Sequence, residues 1–170
     1  MLDHSARVLR ASLITSVFLM ALPASSAAAT EARQDAQGID RNDFAAILDM
    51  ANGYGEAELT KTESGDPVIT GDINGTAYQL FFLDCHANRD CRTLNFYAVW
   101  DGAGVPLELL NRWNAMGAFN KAYLTEGGMP VVELNDSTID LTRGRLGDLF
   151  DRWTVTLAEF PREVLDKAAQ

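Results

Sequence analysis

Apolar and polar positions along the chain repeat with two different periods, and the switches between them mark out the elements. Phe44, Ile47, Leu48 and Ala51 recur at i, i+3, i+4 and i+7, which predicts a helix over about 42–52 with one apolar face. Asp40 or Asn42 is placed to cap its free N–H groups, and Gly53 to leave it in a left-handed conformation. The period then drops to two. Short strands are expected over 58–62, 68–73, 76–83 and 92–100, in the last of which Leu94, Phe96, Ala98 and Trp100 alternate with Thr93, Asn95, Tyr97 and Val99. Asn74-Gly75 is the strongest hairpin signal, because a type I′ turn needs positive φ at both central positions. Short turns throughout imply an antiparallel meander. Asp101-Gly102-Ala103-Gly104 breaks it, and Pro106 suits the first turn of a second helix over about 107–116. The expected stripe of that helix is Leu109, Trp113 and Met116, with Leu110 alongside. A hairpin of 121–125 and 129–134 follows around Glu126-Gly127-Gly128. The last helix, 143–160, has the cleanest period: Leu146, Leu149, Phe150, Trp153, Leu157 and Phe160. The order is α-β-β-β-β-α-β-β-α, which predicts an α+β domain with an antiparallel sheet over 42–170.

The first thirty residues follow a different logic. Arg7 and Arg10 give a positive start, an apolar run from Ala11 to Leu22 follows, and then come Pro23 and the small residues Ala24 to Ala29. This is the pattern of a secretory signal peptide over 1–29, with cleavage between Ala29 and Thr30. An uncleaved anchor is the alternative, but the apolar run of about 12 residues falls short of the ~20 a spanning helix needs. No membrane association is therefore expected after cleavage, and the location expected for the mature chain is the periplasm or the exterior. The polar stretch 30–41 has no apolar period and is expected to be a flexible lead-in.

Composition sharpens this picture in one respect. The 170 residues carry 24 acids and 14 bases, a net charge of −10. Removing 1–29 takes two bases and one acid, so the mature charge becomes −11. Nucleic-acid binding is excluded by that balance, since phosphates are neutralised by clustered Lys and Arg.

Three stretches carry a family resemblance: Gly65 to Cys85 (GDPVITGDINGTAYQLFFLDC), Cys91 to Asp101 (CRTLNFYAVWD), and Asn111 to Leu134 (NRWNAMGAFNKAYL through GMPVVEL). Together, and in this order, they resemble the YbjN domain family of bacterial proteins, over roughly 44–160. The resemblance implies an α+β fold similar to type III secretion chaperones, a role as a sensory transduction regulator, and no catalytic residues to transfer. The chain departs from the family pattern at Asn135-Asp136-Ser137-Thr138-Ile139-Asp140, where an acidic glycine-containing turn is common. A signal peptide also sits poorly with an intracellular signalling role.

Candidate chemistry is sparse. Cys85 and Cys91, at the junction of the third and fourth strands, suit a disulfide in an oxidising compartment. The rival is a redox pair or metal site using Cys85, His86, Cys91 and a carboxylate such as Asp84. Against it, CxxC spacing is absent and no second ligand pair stands elsewhere. His86 is the only histidine after residue 29, in a polar connector where a solvated loop residue is expected. Ser64 and Ser137 both sit in turns, and the chain has no G-x-S-x-G elbow, Walker loop or G-x-G-x-x-G. Asp66, Asp72, Asp84, Asp90 and Asp101 fall at strand ends without calcium-loop spacing.

Trp113 is expected in the core. Asn111 and Asn114 beside it are poor helix formers that either cap Gly117 or the following strand, or line a partner surface with Trp113, Phe119 and Tyr123. The reading is a non-catalytic module without cofactor that binds a protein partner, possible as a homodimer. A small-ligand or metal-binding protein using the Cys85–Cys91 loop is the alternative, and a hydrolase is a weak third for want of a nucleophile and base.

Overall fold

A computed structural model describes residues 25–102, 104–117 and 119–169. The basic start at Arg7 and Arg10 and the apolar run 11–22 lie outside the described residues. The elements are α1 (Ser25–Asp35), α2 (Phe44–Asn52), β1 (Ala57–Lys61), β2 (Pro67–Ile73), β3 (Thr76–Leu83), β4 (Thr93–Val99), α3 (Leu107–Met116), β5 (Lys121–Leu124), β6 (Pro130–Ser137) and α4 (Arg143–Phe160). One six-stranded antiparallel sheet has the order β1-β2-β3-β4-β6-β5. The meander of the first four strands is as the period-two pattern predicts. The last hairpin then inserts β6 beside β4 and leaves β5 at the edge. β6 runs on to Ser137 because it finds partners on β4 as far as Thr93.

Alternation gives the sheet one covered and one open face. Ile69, Leu80, Phe96 and Leu134 lie in register on the covered face and are all buried. Against them pack Leu146, Leu149, Phe150, Trp153 and Phe160 of α4, with Ile47 and Ala51 of α2. Phe150 is the hub: its ring lies 5.0 Å from Tyr54 and 5.0 Å from Phe96. Burial of aromatic surface on this scale dominates the stability of a domain this size. Gly71 keeps room for Tyr78, since a Cβ there would fall 2.7 Å from the Tyr78 ring. The open face carries Gln79, Phe81, Tyr97, Glu133 and Lys121, its rings Phe81 and Tyr97 edge-to-face at 5.9 Å.

Several local expectations are corrected. The cap of α2 is Asp43, whose carboxylate accepts from Ala46 N at 3.1 Å. Asp40 instead accepts from Asn42 N, and the Asn42 amide is committed to Asp90. Gly53 leaves α2 in right-handed conformation (φ −70°), since the chain takes a further helical turn, with Gly53 N and Tyr54 N bonded to Met50 O and Ala51 O. Asn74 (φ 54°) and Gly75 (φ 84°) form the expected turn.

The stretch 30–41 holds more structure than a flexible lead-in. Its first residues belong to α1, which runs through the Ala29–Thr30 bond. Gly38 bridges Thr142, Ile39 N donates to Leu141 O, and Arg143 N donates to Gln37 O. Gly144 allows the close approach: a Cβ there would lie 3.0 Å from the Asp35 side chain. Polarity concealed this pairing because it is made by backbone groups.

After Phe160 the chain stays helical. Pro161 cannot donate an intrahelical bond, and a π-helical turn (Pro161–Leu165) absorbs it, with Asp166 N reaching back to Pro161 O. Val164 is buried by that turn.

Candidate functional site

The α3 stripe is rotated from the expected one. Leu110 and Trp113 are buried and Leu109 is half-buried, while Met116 is 70% exposed. The rotation follows from Trp113, whose ring docks edge-on against Phe160 of α4 at 5.2 Å. α3 stops at Gly117, which turns extended with its N–H on Trp113 O. The connector then passes beside α4. There the Trp113 indole donates to Asn120 Oδ1 (2.7 Å), Asn120 Nδ2 donates to Thr156 Oγ1 (3.0 Å), and Thr156 Oγ1 donates to Arg152 O (2.8 Å). This polar chain fixes three elements at once and satisfies the buried hydroxyl of Thr156.

Above it lies a groove of about 490 Å³ lined mainly by Trp113, Met116, Phe119, Arg152 and Val155. Phe119 is 60% and Val155 54% exposed. The Arg152 guanidinium stands 3.9 Å over the Phe119 ring and pairs with Asp148 at 2.8 Å, a cation–π contact that holds the phenyl ring in place. Asp151 and Glu159 are the acids of the lining. Asp151 accepts from the Tyr54 hydroxyl at 2.7 Å. Tyr54 is pushed up to about 12 by burial, and then by its bond to Asp151.

The five residues singled out as a partner surface are not all brought to one place. Trp113 and Phe119 meet in the groove. Asn114 faces β5, where its amide donates to Ala122 O (2.9 Å) and accepts from Ala122 N (2.7 Å), so it caps the edge strand as one of the two readings had it. Asn111 is exposed on α3. Tyr123 belongs to the open sheet face and donates to Glu133 at 3.1 Å; burial, then the Glu133 charge, raises it to about 12. Burial alone would lift Glu133, but bonds from Lys121, Tyr123 and Asn135 outweigh it and hold the carboxyl below its usual range. Sequence reasoning missed Val155, Arg152 and Asn120. Val155 had a signal: it is apolar yet out of phase with the α4 stripe.

Cys85 and Cys91 are joined by a disulfide. Cys91 is fully buried, and its carbonyl accepts from Thr138 Oγ1 at 2.7 Å. Between the two cysteines His86 and Arg89 exchange backbone bonds across Ala87 (φ 52°) and Asn88 (φ 60°), a miniature hairpin turn. His86 is exposed at its edge. Among the described residues no three His, Cys, Asp or Glu side chains converge as a metal set, and no helix is long and apolar enough to cross a membrane.

The sheet, the covering helices and the groove all lie within residues 40–166, and that same span matches the YbjN family model, described as "Putative bacterial sensory transduction regulator". The chain belongs to the YbjN family. Among solved structures it is similar to the Yersinia pestis type III secretion chaperone SycH, solved in complex with a stable fragment of YscM2. That match is 16% identical, covers 67% of this chain and 98% of that one, and has a TM-score of 0.44. No curated protein matches the chain. The YbjN domain is thus an α+β unit whose helices cover one face of a six-stranded antiparallel sheet.

Proposed function

We propose that this YbjN protein is an exported, non-catalytic regulatory module that holds an apolar segment of a protein partner in the α3–α4 groove. The observation that carries the reading is the exposure of Met116, Phe119 and Val155 around one groove with a rigid Trp113 floor. Each such side chain contributes about 1.5–3 kcal/mol when fully buried, and clustered apolar exposure of this kind marks an interaction surface. The rim sets the partner's charge. Arg152 is already paired with Asp148, whereas Glu159 has no ion pair among the described residues, so a segment with apolar anchors and a basic flank fits best. Export is supported by Arg7 and Arg10 ahead of an apolar run, by Ala27-Ala28-Ala29, and by the disulfide.

One experiment tests both parts. The full chain is expressed with a photo-crosslinking phenylalanine analogue at Met116 or Val155, or at Glu58 on the edge strand as control, and the periplasmic fraction is irradiated. Discrete adducts from the groove positions and none from Glu58 are expected. Absence of the chain from that fraction overturns export, and equal labelling from all three sites overturns the groove. An adduct of twice the chain mass would make a second copy the occupant.

A further inference from the structure

A second cleft lies elsewhere and shares no residue with the groove. It has a volume of about 390 Å³ and sits between the start of α2, the edge strand β1 and the disulfide loop. Its apolar wall is Phe44, Leu59 and Pro67, of which Leu59 is substantially exposed. Its two charged residues are Lys61 and Arg89, and no carboxylate lines it. That is unexpected on a chain with 24 acids against 14 bases. Neither Lys61 nor Arg89 makes an ion pair among the described residues.

Two neighbouring acids are tied into the frame. Asp66 accepts from Asn88 (2.9 Å) and Ser64 (3.1 Å), and Asp90 accepts from the Asn42 amide (2.9 Å) with Arg41 beside it. These bonds also fix the frame, because Asn42 both donates to and accepts from Asp90. The disulfide loop that carries Arg89 is thereby pinned to the start of α2 and to the turn after β1. Asp66 and Asp90 keep their charge at the rim, Asp90 offset by Arg41 at 4.0 Å. More distant acids are screened within about 8 Å at physiological salt, which leaves Lys61 and Arg89 as the charges that line the cleft itself.

We propose that this cleft binds a small amphiphile with an oxyanion head group, the head held by Lys61 and Arg89 and the tail laid along Leu59, Phe44 and Pro67. Arg presents a planar fork suited to a carboxylate or phosphate, and Lys adds a point charge. The volume is that of an ordinary small-ligand site.

Titration calorimetry of the full chain with its disulfide formed, using decanoate and decyl phosphate, tests it, with decylamine as the cationic control. Saturable one-to-one binding of at least one anion is expected, and the stronger of the two identifies the head group. Binding should weaken about tenfold in Lys61→Gln and in Arg89→Gln. Both side chains are exposed, so the variants should keep the wild-type melting curve. Failure of both anions to bind, binding of decylamine as tight as theirs, or affinity unchanged in both variants overturns the proposal. None of these results bears on the α3–α4 groove.

Discussion

Asn114 shows how much one side chain can settle. Its amide makes both a donor and an acceptor bond to the backbone of Ala122, at the outer edge of the sheet. Ala122 is buried, so removing the amide strands a backbone N–H and a C=O. Asn114→Ala should therefore cost about 1–3 kcal/mol in urea unfolding, while groove crosslinking from Val155 stays intact. Retained stability with lost crosslinking would instead make Asn114 a contact residue. That Asn114 had a special task was legible, because Asn is a poor helix former and Asn114 lies within α3. Asn120 was not legible. Its value lies in joining Trp113 to Thr156 of α4, a proximity that only the folded chain creates.

At the scale of elements, period and turn chemistry went far. The bounds of α3 and α4 and the turn at Asn74-Gly75 agree with the pattern. The facing of α3 did not, because Leu107, Leu109, Leu110, Trp113 and Met116 offer two overlapping stripes and docking on Phe160 selects one. The place of β6 between β4 and β5 was likewise hidden, since pairing between non-consecutive strands leaves no local mark. The loop from Asp84 to Cys91 is an element in its own right. Asp84, Ala87, Asn88 and Asp90 all have φ between 50° and 60°, a region that is costly for Ala in particular. The disulfide and the Asn42 bonds hold it there. The double variant Cys85→Ala/Cys91→Ala should lose about 2.4 kcal/mol by the loop-entropy relation for so short a ring. Denaturing mass spectrometry of the wild-type protein, purified without reductant, should show a gain of two hydrogens on reduction. An equal unfolding midpoint for variant and wild type would show that the hydrogen bonds alone organise the loop.

Across the whole molecule, the tyrosines report on how the sheet's two faces are finished. The chain has four, and all four are harder to ionise than free tyrosine. Burial does this for Tyr78, on the covered face, which rises to about 12. Tyr54 and Tyr123 reach about 12 through burial followed by an acidic partner, Asp151 and Glu133 respectively. Tyr97 is raised by burial and then by the same Glu133. Each folded-state value exceeds the unfolded value of about 10. The native state therefore keeps protons that the unfolded state releases, and stability present in full below pH 10 is lost progressively as pH rises towards 12. Absorbance at 295 nm should show little tyrosinate in the native protein near pH 10.5, but about normal titration in urea. The melting temperature should fall over the same window. Of the four, Tyr78 should ionise only as the fold opens, because its hydroxyl is buried and has no hydrogen-bond partner among the described residues. A native titration curve overlaying the urea curve would mean that the covered face too is open to water, and that the aromatic hub around Phe150 does not seal the core.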